Sequence, residues 1–155
     1  RLILSNNVFP LTSAQDPTDP YAFGGLKVIP KGDRVFTTND ELLYFFELRN
    51  PGLDETGSPK FQVKIDVEGT IQGKDAKGKA ITQKKKYSMP LTEADVAPVK
   101  DTAGHYSGGQ GIPLATFKPG EYIIRVKLID TVTQANYAME EKFTVVVAPA
   151  ATPAG

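Results

Sequence analysis

The sequence predicts an all-β domain, an antiparallel β-sandwich of about eight strands. Two runs carry that expectation. In 60–69, Phe61, Val63, Ile65 and Val67 alternate with Gln62, Lys64, Asp66 and Glu68, the period-two pattern of a strand with one buried and one wet face. In 41–49, Leu42, Tyr44, Phe46 and Leu48 fall on one face and Leu43 and Phe45 on the other. Both faces are then apolar at the centre, as in a strand buried in the middle of a sandwich. Neither run spaces its apolar residues three and four apart, as a helix requires.

The same alternation returns in 120–130, where Tyr122, Ile124, Val126 and Leu128 oppose Arg125 and Lys127. After a turn region at 131–136, the run 137–147 offers Met139, Phe143, Val145 and Val147 as an inner face. Together these read as a terminal hairpin. Shorter strands are expected at 2–4, 26–29, 81–89 and 112–117. A single helical turn is expected at 92–96, with Thr92 as its cap and Asp95 at the third helical position. Asn50, Pro51 and Gly52 end the strand before them. The segment 6–25 holds Pro10, Pro17, Pro20, Gly24 and Gly25 and reads as one long loop. The tail 148–155 has no core-forming residue and is expected to be disordered, so the folded unit is placed at 1–147.

The chain has 155 residues, one domain's worth. Its 18 basic residues balance 18 acidic ones, which argues against a nucleic-acid binder and leaves little self-repulsion between copies. The absence of cysteine excludes disulfides, thiolate metal sites and cysteine nucleophiles. No apolar stretch approaches the roughly 18 residues of a membrane span, so no membrane insertion is expected of this segment. A start at Arg1 rather than methionine reads as a fragment of something longer.

The chemistry-bearing residues are few. His105 is the single histidine and lies in a glycine-rich stretch, with no G-x-S-x-G nucleophile elbow to serve and no second imidazole or thiolate to share a metal. The neighbours Glu140 and Glu141 point to opposite faces of a strand, while Asp54–Glu55 and Asp16–Asp19 are ordinary loop acids. No catalytic residue and no cofactor are therefore assigned. Asp16 and Asp19 are the one calcium candidate, two carboxylates where the ion wants six to eight oxygens. Lys74, Lys77, Lys79, Lys84, Lys85 and Lys86 form a basic stretch around an Asp75–Gly78 hairpin tip. It reads as a solvated hairpin whose lysines guard an edge strand, against the sharper reading of a patch for an acidic partner. Tyr21, Phe23, Tyr106 and Tyr137 are candidates for lining a sugar or peptide groove, though the chain has no tryptophan.

The runs LSNNVFP at 4–10, FGGLKVIP at 23–30, YFFELRN at 44–50, FKPGEYIIRVKLID at 117–130 and EKFTV at 141–145 cover much of the chain. They resemble the β-sandwich region near the C-terminus of large secreted bacterial proteins that carry a GWxTD domain or a von Willebrand A-related domain. The resemblance implies an extracytoplasmic, multidomain setting and supplies no ligand. Pro119–Gly120 followed by Tyr122 fits the tyrosine corner of an immunoglobulin-like sandwich. The expected function is a non-catalytic structural or protein-interaction module of a larger exported bacterial protein, its partner another domain of that protein or a separate protein. The alternative is a glycan- or peptide-binding module using Tyr21, Phe23 and Tyr106.

This reading ranks substitutions. Burying a large apolar side chain stabilises by about 1.5 to 3 kcal/mol, so Phe46→Ala and Ile124→Ala should each cost several times what Lys85→Ala costs. Equal melting temperatures for the three variants contradict the predicted strand faces.

Overall fold

The computed structural model describes residues 2–11, 19–23, 25–48, 50–57, 59–90, 99–100 and 106–149. Eleven strands run through them: β1 (Leu2–Pro10), β2 (Ala22–Phe23), β3 (Leu26–Pro30), β4 (Val35–Thr37), β5 (Glu41–Leu48), β6 (Phe61–Lys74), β7 (Ala80–Pro90), β8 (Val99–Lys100), β9 (Tyr106–Pro113), β10 (Gly120–Asp130) and β11 (Asn136–Val146). They form a six-stranded sheet in the order β2-β3-β1-β5-β9-β8 and a five-stranded sheet in the order β4-β11-β10-β6-β7. Neighbours are antiparallel except β4, which runs parallel to β11. There is no helix among the described residues.

The strand order is that of an immunoglobulin-like sandwich. In that fold strands A, B, E and D form one sheet and C, F and G the other, with C′ added beside C in variable-type domains. Here β1, β5, β9 and β8 take the A, B, E and D places, and β6, β10 and β11 the C, F and G places, with β7 as C′. The hairpin β2–β3 extends the first sheet beyond β1.

The inner faces meet in one apolar core. Leu2 and Leu4 from β1, Leu42, Tyr44, Phe46 and Leu48 from β5, and Ile112 from β9 face Val63, Ile65 and Val67 from β6 and Tyr122, Ile124, Val126 and Leu128 from β10. A smaller cluster lies on the outer face of the six-stranded sheet, where Ile3 and Val28 are buried against Val8 and Phe45. That cluster explains why β5 is apolar on both faces.

Two cross-strand pairs set how closely side chains approach. Tyr122 on β10 stands opposite Gly69 on β6, and a Cβ at Gly69 would clash with the tyrosine ring. Phe46 on β5 stands opposite Gly108 on β9, where a Cβ would lie 2.5 Å from the phenyl ring. Tyr122 is 1% exposed. Its ring stacks on Phe143, centroids 5.4 Å apart, and tilts against Phe117 at the same separation. Its hydroxyl donates to the carbonyl of Lys118 at 2.5 Å. A bond from the start of strand F back to the corner before it is the tyrosine corner, as expected from Pro119–Gly120 and Tyr122.

Several boundaries differ from expectation. β1 continues past Leu4 to Pro10, so residues 6–10 of the expected loop are strand, as are Ala22 and Phe23. A register shift between Ser5 and Asn7 breaks the alternation. Ser5 is fully buried there, and its Oγ accepts the Asn7 N–H at 2.9 Å and lies 2.5 Å from the Ile29 carbonyl oxygen. The strand expected at 112–117 is instead β9, Tyr106–Pro113. Leu114 and Phe117 then form a turn, closed by the Phe117 N–H on the Leu114 carbonyl, and both side chains are buried. Val147 lies beyond the end of β11 and is 67% exposed, so it is not part of the inner face. The helical turn expected at 92–96, Asp16, His105 and residues 150–155 lie outside the described residues.

One carboxylate pins the turn after β10 to the loop before β6. Asp130 has no solvent exposure. Its Oδ2 accepts the Gly52 N–H at 2.8 Å, and its Oδ1 accepts the N–H groups of Val132 at 2.9 Å and Thr133 at 3.1 Å. Burial by itself raises its pKa, but the bonds from Gly52, Thr133 and Val132 outweigh burial and hold the carboxyl below the ordinary value of 3.8. The ionised form is therefore the one the fold prefers, and its contribution is lost as pH falls through the depressed folded value. Asp130→Asn should cost about 1 to 3 kcal/mol at neutral pH, the penalty of leaving a buried donor unpaired. The gap to the unmodified protein should close as both are unfolded in increasingly acid buffer. A gap that is the same at pH 7 and pH 3 contradicts this role.

Candidate interaction surface

The sequence offers four aromatic residues and two carboxylates as candidates, and the fold sets the described aromatics apart, with Tyr137 on β11 of the other sheet and 37% exposed. Tyr106 opens β9 opposite Leu48. It is 8% exposed and belongs to the main core, facing the other sheet. Tyr21 precedes β2 at the opposite end of that sheet. Four strand-to-strand steps separate β2 from β9, about 19 Å at the usual strand spacing. Phe23 lies on β2 opposite Leu26, and its side chain lies outside what the structure describes. Tyr106 therefore does not share a groove with the other two. Sequence proximity to a glycine-rich stretch suggested a loop residue, but Gly108, Gly109 and Gly111 are strand residues that admit the side chains of β5.

Tyr21 is 36% exposed and is held by its neighbours. Its N–H donates to Asp19 Oδ1 at 2.9 Å, its carbonyl accepts the Val28 N–H at 2.8 Å, and the Lys27 ammonium stands 5.9 Å from its ring centroid. Asp19 also binds the Lys27 ammonium through Oδ2. That bond first, and the Tyr21 N–H second, hold its carboxyl below the usual carboxylate range. Both oxygens of Asp19 are thus engaged by donors, and a cation there has to compete with Lys27. Among the described residues no three His, Cys, Asp or Glu side chains cluster as metal ligands.

A shallow cleft of about 250 Å³ opens beside Tyr21, lined by Leu2, Leu4, Pro30, Lys31, Arg34 and Glu141 among others. Arg34 Nη1 and Glu141 Oε2 are 2.6 Å apart in it. Small-molecule sites are usually about 300 Å³ or more and mainly apolar, and this cleft is smaller and bears an ion pair. Lys31, Arg34 and Glu141 gave no sequence signal as neighbours of Tyr21, because they come from a turn and from a strand of the other sheet.

Several other carboxylates serve the fold. Asp33 accepts the Val35 N–H at 3.0 Å and pairs with Lys31 at 3.1 Å, and these two lower its pKa in that order. Asp40 accepts the Thr37 N–H at 2.7 Å, and Asp54 accepts the Thr56 N–H at 2.8 Å. Side-chain bonds of this kind close turns by imitating a backbone acceptor. Glu140 and Glu141 face opposite sides of β11, opposite Arg125 and Ile124 respectively. On the outer face Arg125 bridges Glu68 at 3.1 Å and Glu140 at 3.3 Å.

The β6–β7 hairpin presents the largest block of one charge. Its turn is closed by Asp75, whose Oδ1 accepts the N–H groups of Lys77 and Lys79, each at 2.9 Å. Lys74, Lys77, Lys79, Lys84 and Lys86 are exposed. The described ion pairs of the chain use Lys27, Lys31, Arg34, Lys60 and Arg125, and none of these five lysines. Comparison with protein-family models and with curated proteins finds no match. An immunoglobulin-like sandwich hosts many functions, so the reading of this one rests on its surface.

Proposed function

We propose that the chain is a non-catalytic structural or protein-interaction module of a larger exported bacterial protein, docking against another domain of that protein or against a separate partner. The observation that carries the reading is how the titratable groups are spent. Asp19, Asp33, Asp40, Asp54, Asp75 and Asp130 each accept backbone N–H groups of nearby turns. General acid–base work needs a side chain poised near neutral pH within reach of substrate, and carboxylates committed to turns, with Asp19, Asp33 and Asp130 held below their ordinary value, do not supply one. Support for an exported, multidomain setting comes from the resemblance of the sequence to the sandwich regions of secreted bacterial proteins. The second reading, a glycan- or peptide-binding module, is favoured by one observation, the half-exposed Tyr21 ring beside the cleft of Arg34 and Glu141.

A thermal-shift screen against calcium, a chelator and a glycan panel decides between them. A ligand at a hundred times its dissociation constant adds about 2.7 kcal/mol, which in a domain of this size raises the melting temperature by roughly 5 to 10 °C. The interaction-module reading expects no such shift. A glycan-specific shift that Tyr21→Ala abolishes overturns it in favour of the second reading.

A further inference from the structure

The β6–β7 hairpin carries charge and backbone that the described residues of the fold do not use. β10 stops pairing with β6 at Ile71, opposite Gly120. Gln72, Gly73 and Lys74 pair only with Thr82, Ile81 and Ala80 of β7. The hairpin therefore overhangs β10 by three residues, about 10 Å at the rise of a strand. Residues 74–86 hold six lysines and one aspartate, against twelve basic and seventeen acidic residues in the rest of the chain. A chain of zero net charge is thus strongly polarised, positive at this hairpin and negative elsewhere.

β7 is also an edge. β6 pairs with one side of it, and no strand among the described residues pairs with the other. Lys84 and Lys86 stand opposite Thr70 and Glu68, on the outer face of the sheet. They are about 7 Å apart, the two-residue repeat of a strand. The Glu68 carboxylate is bound by Arg125, and the Asp75 carboxylate by its own turn.

We propose that β7 is the docking edge for an extended acidic segment of a partner protein, which joins the sheet as a further strand with its carboxylates facing Lys84 and Lys86. The proposal rests on the interaction-module reading and gives it a surface and a partner chemistry. A free edge offers a hydrogen-bonding ladder to any extended peptide. Lysines on that edge repel a second copy of β7, because like charges then face each other. The same lysines attract a strand of opposite sign, since opposed charges across a strand pair are stabilising. One device thus blocks self-pairing and selects an acidic strand. A nucleic acid fits less well, because Tyr87 is the one aromatic residue in 74–90 and base stacking needs several. A membrane surface fits less well too, since the described outer face here is Thr70, Gln72, Thr82, Lys84 and Lys86, with no apolar side chain to insert.

The test is fluorescence anisotropy of the full chain with three labelled probes at low salt. They are a peptide of alternating glutamate and threonine, the same peptide with proline for each threonine, and a heparin fragment. Proline keeps the charge but removes the N–H groups that a ladder needs. The glutamate–threonine peptide should bind, more weakly as salt rises. Lys84→Glu/Lys86→Glu should weaken it at least about tenfold, with the neutral pair Lys84→Gln/Lys86→Gln between. The neutral pair Lys84→Gln/Lys86→Gln should keep the melting temperature of the unmodified chain, because both side chains are exposed and the described ion pairs use neither. The proline peptide should bind at least about fivefold more weakly than the threonine peptide. Absence of binding, an affinity unchanged in both lysine variants, or equal binding of the proline peptide or the heparin fragment overturns the proposal. A failed peptide with a flat glycan screen removes the docking edge and leaves the interaction-module reading. A Tyr21-dependent glycan shift removes that reading whatever the peptide does.

Discussion

The sandwich depends on one close approach, that of the Tyr122 ring to the backbone of Gly69. The ring lies over a residue of β6 that has no side chain to resist it. From there it packs on Phe143 of the next strand and on Phe117 of the corner before it, while its hydroxyl closes that corner on Lys118. A single side chain thereby ties together three consecutive strands of the five-stranded sheet and the connection from the other sheet. The six-stranded sheet repeats the device with Phe46 over Gly108. Buried aromatic side chains bring large apolar areas, with packing geometry worth about 0.5 to 1.5 kcal/mol more per aromatic pair. A glycine opposite each is the condition for fitting them between two sheets.

What the sequence made legible follows from the same physics. Alternation identified β6 and β10, the terminal-hairpin pattern identified β11 up to Val147, and two apolar faces identified β5, because period two is a direct projection of a strand with a buried side. The tyrosine corner could be read from Pro119, Gly120 and Tyr122. The alternation failed where a strand departs from ideal pleating. β1 runs through a bulge at Ser5–Asn7, so its outer half, with Asn6, Asn7 and Pro10, looked like loop. β9 holds Gly108, Gly109 and Gly111, which looked like a loop because glycine disfavours strands by itself. Their reason lies in the side chains of β5, across the sheet. Glycine in a strand often reports the bulk of its neighbour, and that neighbour is remote in sequence.

The candidate site was less legible than the fold. Tyr21, Phe23 and Tyr106 look alike in sequence as aromatics near glycines and prolines, yet Tyr106 is a core residue of strand E and Tyr21 sits at the far edge of the same sheet. The lysines of the hairpin were visible as a cluster. That the described ion pairs leave out Lys74, Lys77, Lys79, Lys84 and Lys86 was not, because it depends on Glu68 turning to Arg125 and Asp75 turning to its own backbone. Among the described residues, aspartates that close turns thus coexist with hairpin lysines that face solvent outside any described ion pair.

The most direct test of the account is a double-mutant cycle on Gly69 and Tyr122 by chemical denaturation. Gly69→Ala should cost about 1 to 3 kcal/mol in the otherwise unmodified chain, the usual penalty of overpacking a filled core. In a Tyr122→Leu background, where the ring is gone, its cost should fall by about 1 kcal/mol or more, within the range for residues in contact. An equal cost in both backgrounds would mean that Gly69 is not there for the ring, and the packing of the two sheets would need another explanation.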